Sequence, residues 1–312
     1  MDNMAKNKRD IVEIFGHAPY DISKDVRSFW KSGACPFINK QCNKYNHNQT
    51  IIYGVCSVTS PYGDIIICPN RLYANSYETI RRVAADAFGD KIEFLFYEQY
   101  LKKRGQVKNC IVALGQNSGK EVKIAKSLSM DWVLTYICDS ELKEYIGIEV
   151  QSIDITGNYR DAWAAYEKMK RDASQDEIPS SGHGLNWANV HKRLIPQLIR
   201  KGIIYSRSKL VKKGLYFVLP EIVYVKFEEI LGKDIPEMAD AQGNTLTVHT
   251  YELGERADNG SIRELTLVRR CRFSLDELSK RFISGPNLPA GEELDKVITQ
   301  TLGFQAKQKI LI

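Results

Sequence analysis

The sequence predicts a mixed α/β (α+β) fold, with a central sheet flanked by helices and a small four-cysteine module near the N-terminus. Three observations carry this reading. From residue 92 to 155, short runs rich in β-branched and aromatic residues follow one another, separated by turn formers. On either side, 76–88 and 161–171 carry apolar residues at helical spacing. Ahead of both, residues 35–72 hold Pro36, Gly54, Pro61, Gly63 and Pro69 among Cys35, Cys42, Cys56 and Cys68, which is a loop-rich composition.

The elements follow in order. Residues 11–15 read as a short helical piece, followed by "YDISKDVRSFW". The helix at 76–88 has Asn75 or Ser76 as cap, Glu78 three residues after Asn75, and Gly89 as its stop. Strands are predicted at 92–96 and 110–114, a short helix at 121–128, and strands at 132–137 and 145–155 around a turn near 140–143. The helix at 161–171 spaces Trp163, Tyr166 and Met169 on one face, suited to the core or to an interface. A loop at 174–184 leads to a helix at 186–201, where Pro196 is placed to kink it. Strands at 215–219, 246–251 and 262–268 precede a helix capped by Ser274 with Glu277, and the tail after Pro286 turns irregular and then helical.

Composition bounds the function classes. The chain has 312 residues, 43% hydrophobic and 26% charged, ordinary for a globular protein with a real core. No run approaches the ~18 apolar residues of a membrane span. The segment from Met1 to Asp10 is polar, with no apolar signal region, so a cytoplasmic protein is expected. The net charge of +6 is a mild bias towards polyanions and no more.

Seven cysteines, an odd number, argue against a disulfide framework. Four of them, spaced C-x6-C, x13, C-x11-C, lie in a segment too rich in loops to hold its shape by apolar burial alone. A tetrahedral four-sulfur metal site would offset that, and zinc and iron both suit it. His47 is a weaker substitute ligand, and four unrelated buried thiols are the plain alternative.

A second constellation is acidic. Asp131 opens one predicted strand. Glu149 and Gln151, two apart on the next, share a face. Glu121 lies on the preceding predicted helix. Phosphodiester hydrolysis uses a divalent cation to generate hydroxide and stabilise charge, and Mg²⁺ takes a few carboxylates plus water and phosphate. The usual pattern is Asp followed by Glu-x-Lys. Gln151 carries no charge and can only orient water or substrate. Alone, this pattern is common by chance, with Asp131 as a cap and Glu149 as an ion-paired strand residue.

The two constellations together resemble a known family. "CPF", "GVCS" and "ICPNRL", followed by "NSGKEV", "MDW" and "GIEVQSIDITGNYRDA", are similar to the NotI type of type II restriction endonuclease, over roughly residues 10–220. The resemblance implies a PD-(D/E)XK nuclease core with Gln in the third position. It implies Asp131 and Glu149 as Mg²⁺ ligands, Gln151 beside them, and Glu121 as the helix acid. It implies Cys35, Cys42, Cys56 and Cys68 as an iron site. The expected division is a cysteine-bearing segment at 1–75 and a nuclease and DNA-recognition domain at 76–312. The expected partners are double-stranded DNA with a GC-rich palindrome and a second copy of the chain, with no membrane. A cognate DNA methyltransferase would act on the same site without needing to bind. The alternatives are a non-catalytic zinc-ribbon-like DNA-binding protein and a DNA repair nuclease.

For reading DNA, Asp154 can accept from a cytosine amino group, Arg160 can fork onto guanine, and Asn189, Lys192 and Arg193 share one side of a predicted helix. Each is equally well explained as a solvated charge, with Trp187 as a core anchor. The basic stretches "YSRSKLVKK" and "VRRCR" suit phosphate contact or solvent.

Overall fold

The protein is described by a computed structural model covering residues 9–125, 128–172, 177–285, 288 and 290–303. Its N-terminal part holds β1 (Ile11–Ile14), α1 (Lys24–Ser32), β2 (Ala34–Cys35), β3 (Lys40–Gln41), β4 (Val55–Ser60) and β5 (Gly63–Ile66). β1, β4 and β5 form an antiparallel three-stranded sheet, and β2 pairs with β3. Next come α2 (Ala74–Phe88), β6 (Glu93–Phe96), α3 (Tyr97–Lys103), β7 (Cys110–Gly115), β8 (Val122–Ala125) and β9 (Leu128–Met130). They are followed by β10 (Trp132–Cys138), β11 (Glu141–Val150), β12 (Ile155–Thr156), α4 (Arg160–Asp172), β13 (Gly184–Leu185) and α5 (Ile195–Ser206). The chain continues through β14 (Leu215–Pro220), α6 (Glu221–Leu231), β15 (Thr245–Leu253), β16 (Leu265–Ser274), α7 (Leu275–Ser284) and α8 (Gly291–Thr301).

A seven-stranded mixed sheet runs in the order β16-β15-β14-β11-β10-β7-β6. β10 and β11 are an antiparallel hairpin whose two-residue turn, Asp139 and Ser140, takes positive φ at both positions, the twist that tight hairpins prefer. β11 pairs parallel with β14, and β14 with β15. Parallel neighbours need crossovers, supplied by α4 and α5 in the first case and α6 in the second. β14, "LYFVLP", is buried at every position, as a central strand covered on both faces must be. Trp132 is fully buried, with the rings of Tyr73, Tyr77 and Phe96 around it. One continuous apolar core joins the N-terminal sheet to the central one.

Some expectations fail. Residues 11–15 are a strand rather than a helical piece, because the β-branched run Ile11-Val12 pairs with β4. Of the helix expected at 121–128, residues 121–125 and 128 are not helical, and 126 and 127 lie outside the described residues. Val122 pairs with Met130 in the β8/β9 hairpin, so tertiary pairing overrides the helix propensity of its Glu, Lys and Ala. Asn75 and Ser76 have left-handed backbone and do not cap α2, although Gly89 does end it. The expected kink at Pro196 is a π-turn, Val190–Leu194, with α5 starting on Ile195 and Pro196 in its first turn. Ser274 caps α7 through the Asp276 N–H, while Glu277 pairs with Arg281 instead of closing a capping box. Residues 173–176, 286, 287 and 289, in the expected loop and tail, lie outside the described residues. No helix among the described residues is long and apolar enough to cross a membrane.

A buried ion pair ties the N-terminal sheet to the turn after Cys68. Arg71 forks onto Glu13 at 2.9 to 3.2 Å, Ser57 donates to Glu13 at 2.8 Å, and Arg71 also donates to the Arg263 carbonyl. Removing the arginine leaves Glu13 buried without its counter-charge. Arg71→Leu is expected to cost about 3–5 kcal/mol in urea unfolding. A loss under about 1 kcal/mol, the range of exposed pairs, would show that the pair is dispensable.

Candidate active site and cysteine centre

The β10/β11 register places Trp132 opposite Ile148, which brings Asp131, one residue earlier, beside Glu149. Asp131 accepts the Val150 N–H at 2.8 Å. Glu149 is 3% exposed, an unusual place for a carboxylate. Its Oε2 accepts from Lys201 of α5 at 2.5 Å, and the Asp131 backbone N–H faces the same carboxylate. Its Oε1 is buried without a hydrogen-bond partner. Burial raises the Asp131 pKa against the Val150 N–H and Lys201. Burial, then the charge of Asp131, pushes Glu149 up to about 8 despite Lys201. Two crowded carboxylates and an orphaned oxygen suit a divalent cation, which relieves both burdens at once.

A cleft of about 400 Å³ opens over Asp131, while the buried Glu149 is not part of its lining. Asp131, Gln151 and Glu121 line it, facing Lys40, Asn43 and Asn70 from the cysteine-bearing segment. Gln151 continues β11 by donating its N–H to the Val218 carbonyl at 3.0 Å. Glu121 precedes β8 on an exposed segment and pairs with Lys123 at 3.4 Å, so the acid expected on a helix comes from a hairpin.

The expected DNA readers divide. A groove of about 130 Å³ next to Gln151 is lined by Asp154, Asn189, Arg193 and Gln197. Asp154 accepts from Asn189 Nδ2 at 2.9 Å, which fixes the amide of Asn189. Lys192 is exposed and lies outside that groove, as does Arg160, exposed at the start of α4. Trp163 and Tyr166 are buried, with Trp163 stacked on Trp30, and Met169 packs on the same core, so that stripe serves the interior. The arginines of "VRRCR" are engaged within the chain: Arg269 with Glu221 and Glu228, Arg270 and Arg272 with Asp86.

Cys35, Cys42, Cys56 and Cys68 are all buried and free, whereas His47 is exposed. Burial pushes the Cys35 thiol up to about 12 and raises the other three. The thiols stand within electrostatic reach of one another. After Cys68 and Pro69 the Arg71 N–H donates to the Cys68 carbonyl at 3.0 Å, and the Lys44 N–H donates to the Cys42 sulfur at 3.4 Å. A bond of the latter kind favours thiolate, the form that binds metal. Among the described residues, however, no three His, Cys, Asp or Glu side chains are grouped at metal-holding distance. The donor types fit a four-sulfur ion, while the sulfurs are not drawn together around one.

Lys201, in contact with Glu149, is a residue of this site that the sequence reading does not point to. Its signal is a lysine on an apolar helical stripe: Leu198 and Tyr205, three before and four after it, are both buried. The chain matches no family model and no curated protein.

The pH dependence of stability follows. Glu149 is raised from 4.5 to about 8, so the metal-free folded protein holds this proton more tightly than the unfolded chain does. Its stabilising contribution is full below 4.5 and is lost as pH rises through about 8. The melting temperature of the metal-free wild type should therefore fall relative to Glu149→Gln across that window. Parallel melting curves for the two would exclude a shifted Glu149.

Proposed function

We propose that the protein is a Mg²⁺-dependent type II restriction endonuclease, hydrolysing double-stranded DNA at a specific, GC-rich palindromic site. The observation that carries this is the Asp131–Glu149 pair: a half-buried and a buried carboxylate side by side at one end of a central hairpin, the glutamate with an unpartnered oxygen and the aspartate lining a polar cleft. The mixed sheet flanked by helices agrees with the PD-(D/E)XK core that the sequence resemblance implies.

Asp131 and Glu149 would hold the cation. When bound, it supplies an activated water and offsets charge at the phosphate. The Gln151 amide, at the junction of cleft and groove, orients water or substrate without taking a proton. Arg193 and the fixed Asn189–Asp154 pair offer a donor fork and acceptors to base edges in the neighbouring groove. Cys35, Cys42, Cys56 and Cys68 would hold a structural iron or zinc, which would brace the wall that Lys40, Asn43 and Asn70 give the cleft. One core cuts one strand, so a double-strand break at a palindrome calls for a homodimer.

Plasmid DNA with Mg²⁺ should yield discrete fragments with identical ends. Asp131→Ala and Glu149→Ala should each slow cutting at least about 10²-fold while binding DNA as well or better, since a charge repelling phosphate is gone. Wild-type cutting by either variant would remove the assignment. Binding without cutting by the wild type would instead favour a DNA-binding module, and nicking at structures rather than sequences a repair nuclease.

The purified protein should carry about one equivalent of iron or zinc, lost in Cys35→Ser or Cys68→Ser. Folded protein with none would refute the cysteine centre.

A further inference from the structure

The pattern Asp, then Glu-x-Lys, sets a lysine two residues beyond the glutamate. Here that position is Gln151, and the cation beside Glu149 comes from another element. Among the described residues, Lys201 is the one basic side chain in an ion pair with either acid. It is nearly buried, 10% exposed at the side chain against 3% for Glu149.

Close docking of α5 on β11 puts it there. A Cβ on Gly147 would stand 2.6 Å from the Tyr205 ring, so only glycine lets the helix come so near. A Cβ on Gly202 would meet Leu275 at 2.5 Å, so the same holds on the α7 side. Gly147 and Glu149 share a face of β11, and Lys201 and Tyr205 share a face of α5. The two spacings match: Tyr205 packs over Gly147 and Lys201 reaches Glu149. A lysine at this depth forgoes hydration, which a purely structural contact would have met more simply with an apolar side chain.

We propose that Lys201 is a positioning residue for the metal ligand Glu149. By holding Oε2 it leaves Oε1, the oxygen without a partner, for the divalent cation. This rests on the proposed function for its cation, not on the cutting of DNA. Partners that orient a metal ligand are typically worth about 10–100-fold in metal affinity or activity.

The test is calorimetric titration of the full chain with Mn²⁺ in the absence of DNA. Lys201→Met should weaken Mn²⁺ binding at least about tenfold, and Lys201→Arg, which keeps the charge and the donor, should retain most of it. Lys201→Gln, which keeps a donor without the charge, should fall between them. It also serves if the methionine variant does not fold. DNA affinity in EDTA should be unchanged in all three. Mn²⁺ binding by Lys201→Met or Lys201→Gln equal to wild type would overturn the proposal, as would equal losses in the arginine and methionine variants. The two readings fail separately. A wild type that holds Mn²⁺ through Asp131 but cuts no DNA removes the nuclease and leaves Lys201 standing. A wild type that cuts, with Mn²⁺ binding indifferent to position 201, does the reverse.

Discussion

Placing a half-buried and a buried carboxylate side by side at one end of a central hairpin constrains everything around them. An isolated buried carboxylate would cost many kcal/mol and would protonate instead. The Val150 N–H favours the ionised form of Asp131 and the Lys201 ammonium that of Glu149, although burial and the charge of Asp131 still raise Glu149 to about 8. That arrangement in turn requires the β10/β11 register, which sets the acids together, and an α5 close enough to deliver a lysine. A one-residue slip of β11 would send Glu149 to the other face of the sheet. A side chain at Gly147 would push α5 outward and leave Glu149 alone.

The cysteine-bearing segment is part of the same construction. Its apolar residues continue into the central core, and the Arg71–Glu13 pair pins the turn after Cys68 to β1 and, through the Arg263 carbonyl, to the chain before β16. The Cys35-to-Cys42 hairpin and the Cys68 turn present Lys40, Asn43 and Asn70 to the cleft that Asp131 lines. The chain around the cysteines therefore also sets one wall of the cleft.

What the sequence made legible was what depends on short-range periodicity. The hairpin of β10 and β11, the buried strand β14 and helices α2 and α4 follow from residue spacing, and so does the sharing of one face by Glu149 and Gln151. What it hid depends on partners distant in the chain. Ile11–Ile14 is too short for its period to separate strand from helix, and pairing with β4 decides. The segment at Val122–Ala125 has helix-forming residues and becomes a strand because β9 lies beside it. α6 went unread because "EIVYVKFEEIL" is rich in β-branched and aromatic residues, while the parallel β14/β15 pair demands a crossover there. Lys201 was hidden for the same reason: 52 residues separate it from Glu149, and only the fold joins them.

The neutral Gln151 and the buried Lys201 are complementary on the proposed reading. A lysine at 151 would stand in the cleft, sharing that space with the cation and the phosphate. Moved to α5, the charge meets Glu149 inside the core, and the cleft position is left to an amide that neither competes for the proton nor repels the metal. On the same reading, proton and metal would compete for one poorly solvated carboxylate. Affinity for the cation should then rise with pH over the range in which Glu149 gives up its proton. The lysine's part in that competition is to favour the ionised carboxylate without occupying the oxygen the metal needs.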